Sequence, residues 1–210
     1  MPRENCLIFV VLAVTACAEV EEARLDHSQI LAVRLDPPQV APGGRARVDV
    51  LAGDVSGNVF ESDPTALETE LAVDRTAEGW FVTAPQMPGV VPLGLTLEID
   101  GESFPASKQL VVAEPGANPR VTTMQIDGES ASGEPVLAKG TKPRLAAFCE
   151  GGGEGGDLRY AWYSSVGDLK FYRQPEAELD AATRGEGLVV VVVRDAVGGV
   201  GWQIAPARVE

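Results

Sequence analysis

The chain has 210 residues, a formal net charge of -14 at pH 7 and a sequence pI near 4.5. Nucleic-acid binding depends on cations that replace the counterions of the phosphates, so this charge argues against a nucleic-acid partner and disfavours adsorption to anionic lipid. Glycine and proline number 23 and 15, and long helix-forming stretches are missing, which predicts many short strands joined by turns.

The first predicted element is an export signal. Residues 7–16 are apolar and uncharged, they follow a polar start that carries Arg3, and they end at a cysteine preceded by small residues. Residues 14–17 (VTAC) resemble the lipobox of bacterial lipoproteins, in which the cysteine receives a diacylglycerol and the preceding peptide is removed. The resemblance implies a signal peptide over residues 1–16 and lipid attachment at Cys17.

Three other interpretations of the N-terminus stay open. A membrane-spanning helix needs about 20 apolar residues, roughly twice the length of this run. Cleavage after Ala18 would fit ordinary secretion and would discard the cysteine. A buried N-terminal strand would lie beside an acidic segment with nothing to pair with. The lipoprotein interpretation is favoured, and in that family Ala18 after the lipidated cysteine implies delivery to the outer membrane of a Gram-negative bacterium.

Residues 17–29 are predicted to be an acidic tether between the lipid and the first domain, which covers residues 30–114. The tether contains His27, the only histidine of the chain. Asp100-Gly101 is a hairpin signal within the first domain. The predicted strands of this domain, which share alternating or β-branched sequence, are residues 30–35, 46–51, 68–73, 79–84, 90–99 and 109–113.

A short linker and an internal repeat follow. Residues 115–119 (PGANP) hold two prolines and a glycine, which predicts a linker that restricts the angle between its neighbours. The second half then repeats the first. The matched segments are residues 40–48 with 137–145 at an offset of 97, and residues 110–114 with 206–210 at an offset of 96. Two tandem copies of one fold are predicted, the second over residues 120–210.

The second copy carries a family resemblance. Residues 160–162 (YAW), residues 189–195 (VVVVVRD) and Gly198-Gly199 resemble the bacterial immunoglobulin-like and PKD-type modules found in tandem on exported proteins. The predicted strands of this copy are residues 120–126, 142–149, 158–163, 168–172, 177–181, 188–195 and 200–205. Such a number of short strands suits a β-sandwich. The predicted fold class is therefore all-β: two tandem immunoglobulin-like β-sandwiches after a cleaved lipoprotein signal peptide.

Patterns for catalysis and for cofactors are scarce. A single histidine argues against catalytic triads and histidine-based zinc sites, and neither a nucleophile elbow nor a phosphate-cradling loop is present. We predict no enzyme activity, no metal and no cofactor. The glycine-rich loop over residues 150–157 lacks the spacing of calcium loops, so a flexible connection is favoured there. Cys149 is predicted to be a small buried hydrophobe.

The run over residues 188–193 predicts a binding face, because an apolar strand without alternation sends large side chains to both sides of its sheet. We expect Leu188, Val190 and Val192 in the core, on the same side as Trp162 and Trp202. The predicted protein-binding face, on the opposite side, consists of Arg159, Tyr163, Val189, Val191, Val193 and Gln203. A tyrosine and an arginine beside an apolar patch are a common interface composition. The alternative is that the first domain or a loop covers this strand.

The predicted function is that of a non-catalytic envelope lipoprotein. It would act as an assembly or accessory subunit, or as a protein-binding module, through its distal sandwich on the periplasmic or surface side of the outer membrane. Fold alone does not select a function, since such modules also serve as spacers and adhesion units. The alternatives are a glycan-binding or adhesive module, for which Tyr163 and Tyr172 are available, and a carboxylate-based hydrolase.

Overall fold

The computed structural model describes residues 23–152, 157–182 and 184–210. Regular structure in these residues is β throughout, without an α-helix, so the predicted all-β class is confirmed. None of the described residues belongs to a helix of the length and apolarity that a bilayer crossing requires. The predicted signal peptide and Cys17 lie outside the described residues.

The first sandwich places two sheets around one core. Its strands are β1 (Gln29–Asp36), β2 (Gln39–Val40), β3 (Arg45–Gly53), β4 (Val59–Ser62), β5 (Ala66–Glu68), β6 (Ala72–Thr76), β7 (Gly79–Thr83), β8 (Gly89–Ile99) and β9 (Glu102–Val112). One sheet has the order β1-β3-β7-β6 with β4 paired to β3, and the other has the order β2-β9-β8-β5. Alternate residues of β8, from Leu93 to Ile99, fill the space between the sheets.

The second sandwich repeats this arrangement. Its strands are β10 (Arg120–Ile126), β11 (Glu129–Ser130), β12 (Val136–Leu137), β13 (Arg144–Glu150), β14 (Arg159–Ser164), β15 (Asp168–Lys170), β16 (Glu176–Asp180), β17 (Gly185–Arg194) and β18 (Val200–Val209). The sheets have the orders β11-β10-β13-β16-β15 and β12-β18-β17-β14. This division of strands between two sheets is that of immunoglobulin-like sandwiches, so the two tandem sandwiches are confirmed.

Strand register supports the internal duplication. Val40 pairs in parallel with Val112, and Leu137 pairs in parallel with Val209, so both partners are displaced by 97 residues. The predicted offset of 96 for the last segment is therefore wrong by one residue. An offset of 96 would align buried Leu110 with exposed Pro206. The offset of 97 aligns Leu110 with Ala207, and both side chains face a core.

Two details of the predicted first domain have different outcomes. The Asp100-Gly101 hairpin is confirmed, since Ile99 pairs with Glu102 and both turn residues have positive φ, 53° and 82°. The predicted strand over residues 68–73 is wrong. The chain changes sheets there, with β5 ending and β6 beginning in the opposite sheet, and a turn held by the Thr69 hydroxyl lies between them.

Candidate protein-binding site

The run of valines in β17 has the orientation opposite to the predicted one. Val189, Val191 and Val193 are fully buried in the core of the second sandwich. Trp162, also fully buried, pairs with Val191, and residues that pair directly share a face of the sheet. The bulky indole thus fixes which valines point inward. The prediction that these three valines form an exposed binding face is wrong.

The other predicted residues of that face are divided between the two sides of the sheet. Gln203 pairs with Val191 and so lies on the core side. Tyr163 packs against the cluster on the opposite side, and Arg159 is exposed at the start of β14. Trp202, expected on the same side as Trp162, lies on the other side and also joins that cluster. The six predicted residues therefore do not form one surface.

The first sandwich covers the outward face of β17, which was the alternative interpretation. Val190 and Val192 are fully buried in an interdomain cluster with Leu31 of β1 and Leu51 of β3. The outer face of the β1-β3 sheet thus packs on the outer face of the β17-β18 sheet. This apolar face is an internal contact and is not free to bind a partner.

Polar contacts flank this interdomain cluster. The Arg34 guanidinium lies 4.0 Å from the centre of the Trp202 ring, a cation–π contact. Its Nη2 also donates to Asp49 Oδ2 at 3.0 Å, and Trp202 Nε1 donates to Glu61 Oε1 at 2.7 Å. Asp49 and Glu61 thus supply the hydrogen-bond acceptors that the apolar cluster cannot offer to Arg34 and Trp202.

The linker side chain Asn118 joins the two sandwiches. Its Nδ2 donates to the Leu35 carbonyl at 2.9 Å, and its Oδ1 accepts from the Val200 amide at 2.9 Å. One side-chain amide therefore bridges Leu35, near the end of β1, and the first residue of β18. This is a specific reason why the short linker restricts the angle between the sandwiches.

The segment over residues 23–28, predicted to belong to a tether, is packed against the second sandwich. Ala23 and Leu25 are 1% and 2% exposed, in the second core and in the interdomain cluster respectively. The Leu25 amide donates to the Ser164 carbonyl at 3.0 Å, and Arg24 Nε lies 3.3 Å from Asp168 Oδ1. The tether prediction is wrong for this segment, because its apolar residues alternate with polar ones and bury one side.

The exposed apolar side chains of the second sandwich include two phenylalanines that the sequence did not single out. Phe148 on β13 is 53% exposed and Phe171 is 67% exposed. Phe148 pairs with Thr123 in the first pair after a β-bulge, as Leu51 pairs with Ala32 in the first sandwich. Phe148 therefore occupies the position that Leu51 fills in the interdomain contact. The offset of 97 was the sequence signal that could have found it.

Phe171 has an unusual backbone conformation. Its φ is 57°, a region in which a bulky side chain is strained. It begins the turn between β15 and β16, which is closed by the Gln174 amide donating to the Phe171 carbonyl at 2.9 Å. The Ala147 amide donates to the Pro175 carbonyl, so this turn lies beside β13. We call Phe148, together with this turn, the phenylalanine end.

The predictions about metal binding and Cys149 can be compared with the described residues. Within these residues, no group of three or more His, Cys, Asp or Glu side chains is placed to hold a metal ion. The predicted loop over residues 150–157 includes residues 153–156, which lie outside the described residues. Cys149 is half-buried against the second core, and burial raises the pKa of its thiol.

Comparisons with known proteins identify no family. No family model matches the sequence, and no curated protein matches it. Fibronectin(III)-like modules of Clostridium thermocellum CbhA are 14% identical over 85% of this chain and 93% of that chain, with a TM-score of 0.34. A chimeric titin Z1Z2 tandem is 13% identical over 87% and 99% of the two chains, with a TM-score of 0.36. TM-scores this low carry no argument about this chain, so the sandwich fold is assigned from the strand order of its own sheets.

A third similar structure contains a bound partner. The C-terminal 282-residue fragment of intimin, solved with the intimin-binding domain of its receptor Tir, is 12% identical. The match covers 87% of this chain and 64% of that chain, with a TM-score of 0.33. Like the other two, this structure has a TM-score too low to support an argument about this chain.

Proposed function

We propose that the protein is a non-catalytic, membrane-anchored accessory subunit that binds another protein through the phenylalanine end of its second sandwich. The observation that carries the proposal is the position of Phe148. Its counterpart Leu51 is fully buried against a β-sheet face of the second sandwich, whereas Phe148 is 53% exposed. Large aromatic side chains are the usual anchors of protein interfaces.

The expected partner surface is the apolar face of a β-sheet in a different protein. Such a face, formed by Val190 and Val192, covers the equivalent side of the first sandwich. The corresponding face of the first sandwich does not offer the same chemistry to a second copy. Gly94 and Thr96 of β8 stand where Val190 and Val192 stand in β17. A second copy of this chain is therefore the less suitable occupant.

The proposed location follows from the lipoprotein signal. Lipid on Cys17 would hold the protein at the outer membrane, on the periplasmic or surface side. Because residues 23–28 are packed, only residues 17–22 remain as a tether, and these span at most about 20 Å when extended. The two sandwiches would then stay close to the bilayer, with the phenylalanine end available to a neighbouring envelope protein.

Cross-linking in native membranes tests the proposed interaction. After cross-linking, the protein is purified through a C-terminal tag and the products are identified by mass spectrometry. We expect one stoichiometric partner that is lost with Phe148→Ser and retained with Met87→Ser. The control removes an apolar side chain that is 75% exposed on the first sandwich. Both changes are at the surface and are expected to alter stability by less than about 0.5 kcal/mol.

Other outcomes would contradict the proposal. Recovery of the protein alone would exclude a stable partner, and recovery of a second copy of the chain would exclude a different protein at this surface. A partner that survives Phe148→Ser would place the interface elsewhere. Retention on immobilised glycans that Phe148→Ser abolishes would favour the adhesive alternative, since exposed aromatic rings also stack on sugars.

The anchor has its own test. Metabolic labelling with a palmitate analogue is expected to mark the protein, and Cys17→Ser is expected to abolish the label and release the chain from membranes. A labelled Cys17→Ser protein would exclude Cys17 as the lipid site. An unlabelled natural protein in the soluble fraction would favour cleavage after Ala18.

A further inference from the structure

Two cations line a small cleft where the sandwiches meet. The cleft has a volume of about 250 Å³. Its lining consists of Ile30, Leu31, Ala32, Val33, Ser107, Lys108 and Arg194. No carboxylate is among these lining residues, although the chain has 31 acidic and only 17 basic residues. A doubly cationic cleft is thus an exception on a strongly acidic protein.

Each cation binds the backbone of the opposite sandwich. Lys108 comes from β9, and its Nζ donates to the Gly198 carbonyl at 2.6 Å. Arg194 ends β17, and its Nη2 donates to the Leu31 carbonyl at 2.7 Å. In the part of the chain that the structure describes, these carbonyls are the hydrogen-bond partners of both cations, and neither cation lies in an ion pair.

The nearest acid is Asp195, in the loop after β17. Asp195 Oδ1 accepts hydrogen bonds from the Val197 and Gly199 amides at 3.0 and 2.6 Å, within its own loop. The pKa of Lys108 is lowered to about 8, chiefly by burial. The positive charge of Arg194 also lowers this pKa, by more than the negative charge of Asp195 raises it. Two like charges therefore interact across a partly desolvated space.

An anion in the cleft would relieve this repulsion. A lysine ammonium has three donors and an arginine guanidinium has five, so both keep donors after bonding one carbonyl each. We propose that this cleft binds a small oxyanion, a phosphate or carboxylate group, held by Lys108 and Arg194. The bound group would join the sandwiches, since Lys108 belongs to the first and Arg194 to the second.

The size of the cleft limits the ligand. Sites for drug-sized molecules have volumes of about 300 to 1,000 Å³, so a cleft below that range suits a single oxyanion group. Charge-assisted hydrogen bonds from two cations match the acceptors of phosphate and of a carboxylate. Both chemistries are therefore included as separate arms of the test.

Calorimetric titration and thermal unfolding of the purified protein at pH 7 test the site. Inorganic phosphate and acetate are compared with sodium chloride at equal ionic strength. We expect saturable binding of at least one oxyanion and a rise in Tm of about 2 °C or more at saturation. Lys108→Met should weaken binding by about tenfold or more, because it removes a charged donor. Lys139→Met, which removes an exposed lysine elsewhere, should leave binding unchanged.

The proposal is overturned if neither oxyanion exceeds chloride, or if Lys108→Met binds as the natural protein does. Saturation by phosphate alone identifies a tetrahedral oxyanion, and saturation by acetate as well extends the site to carboxylates. Should Lys108→Met fail to fold, Arg194→Met decides the matter, since Arg194 supplies the second cation from the other sandwich. Unchanged affinity in that variant would exclude the two-residue site.

Discussion

Trp162 decides which half of the valine run belongs to the second core. It is fully buried and pairs with Val191, so every second residue of β17 counted from Val191 points inward. The tryptophan was recognised from the sequence as a core residue, but the pairing register was not readable there. A shift of one residue in register exchanges the two faces of a strand, which is how the predicted binding face came to be inverted.

Val191→Asp tests this orientation. It would place an unpaired carboxylate in the second core, so we expect a loss of about 3 kcal/mol or more of unfolding free energy. The matched control is Val136→Asp, because Val136 is 59% exposed on the same sandwich and should tolerate the charge within about 0.5 kcal/mol. Urea denaturation measures both. Similar small losses in the two variants would contradict the burial of Val191.

Lys108 gives the protein a defined pH dependence. Its pKa is lowered from 10.5 to about 8 in the folded chain, chiefly by burial. Between these values the unfolded chain binds a proton that the folded chain does not, so this residue makes the free energy of unfolding rise with pH. We expect the unfolding free energy of the natural protein, minus that of Lys108→Met, to increase from about pH 8 to about pH 10.5. Chemical denaturation at several pH values measures it, and a constant difference would refute the shift.

At the scale of elements, the duplicated sandwiches differ most on the faces that could meet. The outer face of β17 and β18 presents Val190, Val192 and Trp202, whereas Thr96 and Pro105 stand at positions equivalent to Val192 and Trp202 in β8 and β9. Duplication produced two copies of each face, and only the pair in contact is strongly apolar. The polar copy leaves the first sandwich without a surface for further stacking.

The packed segment before β1 also belongs to this scale. Leu25 is 2% exposed in the interdomain cluster, so Leu25→Ala should cost about 2 to 4 kcal/mol of unfolding free energy through lost burial and a cavity. His27→Ala, two residues later and exposed, should cost less than about 0.5 kcal/mol. Urea denaturation compares the variants. Equal, small effects would restore the interpretation of this segment as a tether.

At the scale of the molecule, apolar, polar and covalent links coincide at the junction of the sandwiches, so we expect the sandwiches to move as one unit. The interdomain cluster is fully buried at Val190, Val192 and Leu51. Asn118 bridges the backbones of both sandwiches in the linker itself. Independent tumbling would expose the cluster to water, at a cost of roughly 25 cal/mol for each Å² of apolar surface.

Small-angle scattering tests this arrangement. Val192→Asp places a charge in the interdomain cluster without entering either sandwich core, so we expect a larger radius of gyration and a more extended distance distribution. Thr96→Asp makes the same kind of change at the equivalent, partly exposed position of the first sandwich and should leave the scattering unchanged. Identical curves for the two variants and the natural protein would show that the cluster does not hold the sandwiches together.

The fold class, the duplication and most strands were predictable from the sequence, because alternation, turn residues and repeated segments are local signals. The Asp100-Gly101 hairpin shows this, since two adjacent residues with positive φ specify the turn. The faces that meet became visible only in the folded chain: Val190 faces the first sandwich, Leu25 is buried, and Phe148 is exposed. Those outcomes depend on pairing register and on contacts between residues far apart in the chain, which no local pattern encodes.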